Sequence, residues 1–415
     1  MSSGMNQVRK CGLVCAVAAA LAVGLTGTTS AVGAENVRSQ QWYLDAMKVD
    51  TLWQKATGEG IKVAVIDSGV NPATPSLTGQ VLKGADFTDT PGDETDDYDG
   101  HGTTMAELIA GTGKGGGLQG LAPQAKIIPM RVVTADLKVK KVNEWSIPDA
   151  IRAAADSDAK IISMSIGNEF SDPKEEAAVK YAQSKGKLLF AAAGNTGNRD
   201  NKPEYPAMYP EVVGVSASSA EGKIDDYSQH GEVVDLAAPG SGIPGWCDAT
   251  FTRYCDRNGT SAATAVASAS AALIWSANPD WTANQVLRVM FESAGKGADG
   301  KAEGISRYYG HGVVRPGAHL NRGLGKPGDP DISPLTNKKT GGAASAEPSD
   351  GSASSPPEDG GKAGDQPQAG EKPAAGQKAA AEDDGGQTGL IIGGAAAVVV
   401  VAGGVLFAVR RRRSA

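Results

Sequence analysis

Four residues in this chain have the types and settings needed to break an acyl bond together: Asp67, His101, Asn195 and Ser261. A serine hydroxyl attacks a carbonyl only when a base takes its proton. A histidine serves as that base when a carboxylate fixes its tautomer. A side-chain amide such as that of Asn195 can then hold the oxyanion, an effect worth several kcal/mol. Each of the four has glycine close by in sequence, in Asp67-Ser68-Gly69, Gly100-His101-Gly102, Gly194-Asn195 and Gly259-Thr260-Ser261. Singly, each has a plainer role. Ser261 opens a small-residue run, Ala262 to Ala272, and could be a helix cap. Asp67 could also be a cap, His101 a loop residue and Asn195 a turn residue. Their joint occurrence points to nucleophilic catalysis.

The elements that must position them follow from hydrophobic patterning. Ile61 to Asp67 is a nearly unbroken apolar run bounded by glycine, as expected of a strand buried on both faces of a parallel sheet. Lys126–Val133, Lys160–Gly167, Lys187–Ala193 and Val212–Ser216 read the same way. Between them, Thr103–Ala110, Ile147–Asp156 and Lys174–Lys185 have helical spacing, and the Ala-rich run after Ser261 is helix-forming. Strands alternating with helices predict an α/β domain with a mostly parallel central sheet, over residues 61–322. Asp67 and Asn195 then fall at strand carboxyl ends, where open α/β sheets build their sites.

The two ends predict an address. Arg9-Lys10, an apolar run from Cys11 and the small residues ending at Ala34 have the layout of a secretory signal, residues 1–34. A short arm, 35–60, follows. Residues 323–388 are dominated by Pro, Gly, Ala and charged residues and read as a disordered linker. Gly389 to Val409 carries no charge and, as a helix at about 1.5 Å per residue, would span roughly 30 Å, the thickness of a bilayer core. Arg410 to Arg413 mark a cytoplasmic tail, 410–415. The expectation is a single-pass protein of the cell membrane with its catalytic domain outside. There Cys247 and Cys255, the two cysteines beyond the signal, are expected to form a disulfide. The net charge of -7 argues against a nucleic-acid partner.

Taken as motifs, these stretches resemble the subtilases, the subtilisin-like serine proteases. Val65-Ile66-Asp67-Ser68-Gly69-Val70, Asp99-Gly100-His101-Gly102-Thr103 and Asn258-Gly259-Thr260-Ser261 match the aspartate, histidine and serine motifs, in the subtilisin order. Ala192-Ala193-Gly194-Asn195 matches the oxyanion segment. The resemblance implies a three-layer fold with helices on both sheet faces and endopeptidase activity on a protein or peptide substrate. It also implies substrate binding by strand addition along Ser163, Ser165 and Gly167, with Gly194 beside Asn195. The layout of signal, arm, linker, span and basic tail is similar to the mycosins, membrane-anchored subtilases of type VII secretion. Two further readings stay open: a broad-specificity surface protease, and a catalytically weak subtilase serving as a structural subunit of a secretion complex.

The sequence departs from the family pattern in places. Ala262 stands where Met is usual, and Ala265 and Val266 where a Pro-His or Pro-Tyr pair is usual. Thr104 replaces a frequent histidine, and Glu107 stands where glycine is usual. No cofactor or metal is expected. The acidic loop 86–99 lacks the spaced D-x-D-x-D-G pattern of a calcium loop and reads as solvated. His230, His311 and His319 read as packing or surface residues.

Overall fold

The computed structural model of the protein describes residues 37–132, 146–296 and 304–340. The expected signal, membrane span and basic tail lie outside these residues, as do residues 133–145. Among the described residues, no helix is long and apolar enough to cross a membrane.

Seven strands form the central sheet: β1 (Lys62–Asp67), β2 (Ala85–Asp86), β3 (Lys126–Arg131), β4 (Ile161–Met164), β5 (Leu188–Ala192), β6 (Val213–Ser218) and β7 (Leu236–Pro239). Their order is β2-β3-β1-β4-β5-β6-β7, and every neighbouring pair is parallel. Successive strand residues point to opposite faces, and the core divides accordingly. In β1, Val63 and Val65 join one apolar cluster while Ala64 and Ile66 join the other. The first cluster packs under α3 (His101–Ala110), α6 (Thr260–Ala277) and α7 (Ala283–Ser293). The second packs under α4 (Ser146–Asp156) and α5 (Pro173–Ser184). This is the three-layer α/β architecture of subtilisin.

Helix α6 is buried from Ala262 to Trp275, with Ser261 at its partly open start. Its alanines leave little side chain between helix axis and sheet, so α6 runs close against β4 to β7. That burial stabilises the domain and fixes the direction in which Ser261 points.

The arm carries α1 (Trp42–Ala46) and α2 (Val49–Leu52). It is tied to the domain rather than free. Gln41 bonds Gln119 in both directions, Trp53 Nε1 donates to the Leu121 carbonyl, and Tyr43, Leu44 and Leu52 are fully buried. At the other end, α8 (Pro316–Arg322) is capped by Gly323 in the left-handed region, yet the fold does not stop there. Residues 323–340 pack back on α7. Thr282 Oγ1 and Asn284 Nδ2 donate to the Pro330 carbonyl, Arg288 donates to the Ile332 carbonyl, and Ser333 is buried. The expectation of a disordered linker from residue 323 is therefore corrected for residues 323–340, and the remainder of it lies outside the described residues. Polar side chains at and near the start of α7 hold the added segment, and its Leu335 packs on the first apolar cluster.

Candidate active site

Asp67 ends β1 and is fully buried. His101 opens α3, and its Nδ1 lies 2.7 Å from Asp67 Oδ1. Gly102 permits this approach, since a Cβ there would collide with the Gly69 carbonyl and lie 3.1 Å from Asp67 Oδ1. Burial alone would push the imidazole pKa down. The Asp67 carboxylate overrides it by charge and hydrogen bond, with Asp99 and Asp97 behind it, and raises His101 to about 9. The same Asp67 oxygen also accepts from the Ser68 N–H at 2.8 Å, whereas Oδ2 has no hydrogen-bond partner among the described residues.

A second carboxylate sets the helix that carries His101. Asp97 accepts from the Gly100 N–H at 2.9 Å on Oδ1, and from the Thr103 N–H at 2.9 Å and hydroxyl at 2.6 Å on Oδ2. It caps N–H groups of the first turn of α3 that have no partner within the helix. Ser68 donates to Asp97 Oδ1 at 2.9 Å and accepts from the Gly102 N–H at 3.0 Å, joining the end of β1 to the same cap. Sequence reasoning missed Asp97, because nothing in the run Asp96-Asp97-Tyr98-Asp99 singles it out.

Ser261 lies in the first turn of α6 and lines the same cleft as His101 and Asn195. Its hydroxyl donates to the Ser165 carbonyl at 3.3 Å, and the Ser165 hydroxyl donates to the Ser261 carbonyl at 3.1 Å. In this rotamer Ser261 makes no hydrogen bond to His101. Asn195 follows the end of β5. Its Oδ1 accepts from the Thr260 N–H at 2.9 Å and hydroxyl at 3.1 Å. With its oxygen so engaged, the NH2 group is what the Asn195 amide has left to offer as a donor. Thr260, the residue beside the serine, is thus what aims Asn195.

The strand-addition residues divide. Ser165 and Gly167 line the cleft beyond the end of β4, and Gly194 lines it beyond the end of β5. Ser163 does not. It sits within β4 opposite Val65 of β1 and Phe190 of β5, so its backbone offers no free edge to a substrate. The expectation for Ser163 is corrected for that reason.

One cleft wall is an antiparallel hairpin, β8 (Ile243–Trp246) and β9 (Tyr254–Arg257), closed by the Cys247–Cys255 disulfide. Its Trp246 stacks on Tyr254 with ring centroids 3.9 Å apart. Two residues of α3 hold it. Thr104 Oγ1 accepts from the Trp246 N–H at 3.0 Å, and Glu107 Oε2 accepts from the Tyr254 hydroxyl at 2.9 Å. Glu107 is fully buried, and its burial raises its pKa to about 7 against the pull of nearby Thr74, Tyr254 and Trp246. It faces the hairpin, not His101.

The acidic loop 86–99 is organised by an internal cation. Arg131, 1% exposed, donates to the Asp93 and Pro91 carbonyls and pairs with Asp86 at 3.4 Å. Among the described residues no group of three or more His, Cys, Asp or Glu side chains is arranged to hold a metal ion. The remaining histidines pack as read: His311 stacks on Phe291, His230 on Tyr308, and His319 leans on Trp281.

The Subtilase family model matches residues 58–312. The chain belongs to the subtilase family. Thermitase of Thermoactinomyces vulgaris is 37% identical over 231 residues, which is 54% of this chain and 78% of thermitase. The structure of MycP1 from Mycobacterium smegmatis is 26% identical, with a TM-score of 0.58 over 70% of this chain and 86% of that one. A second structure, of the serine protease MycP1 described as an essential component of the type VII (ESX-1) secretion system, is 29% identical. Its TM-score is 0.59 over 69% of this chain and 90% of that one. This subtilase is a serine endopeptidase, and the Asp67–His101 pair is the arrangement that would prime a serine.

Proposed function

We propose that this subtilase hydrolyses peptide bonds through an Asp67-His101-Ser261 triad, outside the cell, as a mycosin-like component of type VII secretion. The observation that carries the chemistry is the 2.7 Å bond between His101 and a fully buried Asp67, in the cleft that Ser261 also lines. Rotation of the Ser261 side chain away from the Ser165 carbonyl delivers its hydroxyl to the free ring nitrogen of His101. His101 takes the proton as Ser261 attacks the peptide carbonyl, and then returns it to the leaving amine. Asp67 holds the imidazole in the needed tautomer and offsets its charge. The Asn195 NH2 group and a backbone N–H near Ser261 receive the oxyanion. The uncharged stretch 389–409 of the sequence, read as a membrane anchor, and the likeness to MycP1 support the secretion assignment.

The test is fluorophosphonate labelling of the full-length protein beside its Ser261→Ala variant. Labelling that vanishes in the variant supports the triad; labelling that persists places the reactive group elsewhere. Complementation of a deletion strain by the same variant separates protease from scaffold. Secretion lost with Ser261→Ala requires hydrolysis, and secretion restored by it refutes that requirement.

A further inference from the structure

Beyond Met164 and Ala191, the last paired residues of β4 and β5, the two strands part and leave a gap beside Ser261. Its sides are Ser165-Ile166-Gly167 and Ala192 to Gly194, and both segments line the cleft. The floor is Glu204. Backbone hydrogen bonds between Tyr205 and Asn168 in both directions hold this residue there. A Cβ on Gly167 would collide with Glu204 Oε2, and one on Gly194 would collide with the Gln229 amide and lie 2.8 Å from Glu204 Cδ, so the carboxylate sits against both glycines with the Gln229 amide beside it. Half-buried, it has no cation within ion-pairing distance among the described residues. The nearest basic side chain in sequence, Lys202, is taken by Glu169 at 2.7 Å and Asp200 at 3.3 Å.

A scissile carbonyl within reach of both Ser261 and the Asn195 amide carries its own side chain toward this gap. Ile166 and Ala192 offer it an apolar passage that suits a methylene stem. At the end waits an unpaired carboxylate, a poor floor for an apolar or acidic side chain but a good one for an ammonium or guanidinium. The geometry points to Glu204 as the specificity-determining residue of this protease, selecting substrates whose residue at the cleaved carbonyl is lysine or arginine. This inference rests on the triad proposed above and adds the substrate class. Burial, with the charges of Glu169 and Asp200, raises the Glu204 pKa above the usual carboxylate range, while the Gln229 amide lowers it in part. The preference for a cation therefore weakens in acid, as the carboxyl takes up its proton.

The experiment uses the full-length protein and two peptidyl diphenyl phosphonates that differ only in having a lysine or a norleucine side chain at the reacting residue. A simple fluorophosphonate reports on Ser261 separately, and rates are normalised to it. The lysine probe should label faster by about 10- to 100-fold, the range for a hydrogen bond to a charged group. Glu204→Gln should bring the ratio close to one, and Glu204→Lys should reverse it. Equal rates in the parent, or a lysine preference that survives both substitutions, overturns the assignment while leaving the serine chemistry intact. A parent that reacts with neither phosphonate nor fluorophosphonate overturns the triad, and this inference with it.

Discussion

Replacing Glu107 by glutamine should stabilise this protein at pH 8 and do little at pH 4.5. The carboxyl is fully buried, one oxygen accepts the Tyr254 hydroxyl, and the polar groups of Thr74 and Trp246 beside it only partly offset the burial. Burial lifts its pKa from 4.5 to about 7. A carboxyl with a folded value above its unfolded one binds more protons in the native state between those two values. Its contribution to stability is therefore complete below about pH 4.5 and is lost as pH rises through about 7. Lifting the value that far corresponds to about 3 kcal/mol. Glutamine keeps an oxygen for Tyr254 and never ionises, so the variant escapes the loss. The assay is urea denaturation of wild type and Glu107→Gln at pH 4.5, 6 and 8. Other buried acids, such as Asp235 and Glu175, cancel in the difference between the two proteins. The stability gap should open in favour of glutamine by up to about 3 kcal/mol between pH 4.5 and 8. A gap that does not change with pH, or that favours glutamate at pH 8, refutes the reasoning, because it would mean the carboxylate is stabilised where it sits.

Two further outcomes follow from the site. With His101 raised to about 9, most of the imidazole is protonated at neutral pH, and only the neutral ring accepts a proton. Fluorophosphonate labelling of Ser261 should therefore quicken as pH rises from 7 through 9, and Asp67→Asn should move the inflection downward; a flat profile would contradict this. Replacing Cys247 and Cys255 by serine opens a short loop and should cost about 2–3 kcal/mol in urea denaturation, with no change in stability refuting the bond's role.

Most of the sheet was legible because its strands are buried on both faces. An apolar run between glycines leaves little choice, and the strands ending at Asp67 and Ala192 fall within a residue or so of their expected bounds. The residues of the proposed triad stand out through local chemistry, since each has glycine close by that lets backbones approach. What stayed hidden depends on partners remote in sequence. Asp97 is one of many acids until the fold brings the first turn of α3 over it. Glu204 is an ordinary loop glutamate until Tyr205 pairs with Asn168. Residues 323–340 were misread because the expectation counted apolar residues, and the segment needs few: one, Leu335, packs on the core while hydrogen bonds to Thr282, Asn284 and Arg288 hold the rest. Ser163 was misplaced for the opposite reason: a strand suited to pairing with substrate already has two neighbours.

The departures at Thr104 and Glu107 are best understood together. They lie three residues apart on α3, which puts them on one face of the helix. Both spend their polar atoms on the same hairpin, Thr104 on the Trp246 N–H and Glu107 on the Tyr254 hydroxyl. Trp246 and Tyr254 stack on each other beside the disulfide, so the two attachments act on one small unit. A glycine at 107 would leave the Tyr254 hydroxyl without this acceptor, and a residue without a hydroxyl at 104 would free the Trp246 N–H. The hairpin supplies Ile243, Pro244 and Trp246 to the cleft, facing the wall built by the ends of β4 and β5. One wall of the cleft is therefore set by the sheet and the other by α3, the helix that also holds His101. Movement of that helix would shift the base and the substrate wall together, which ties the geometry of catalysis to the shape of the cleft.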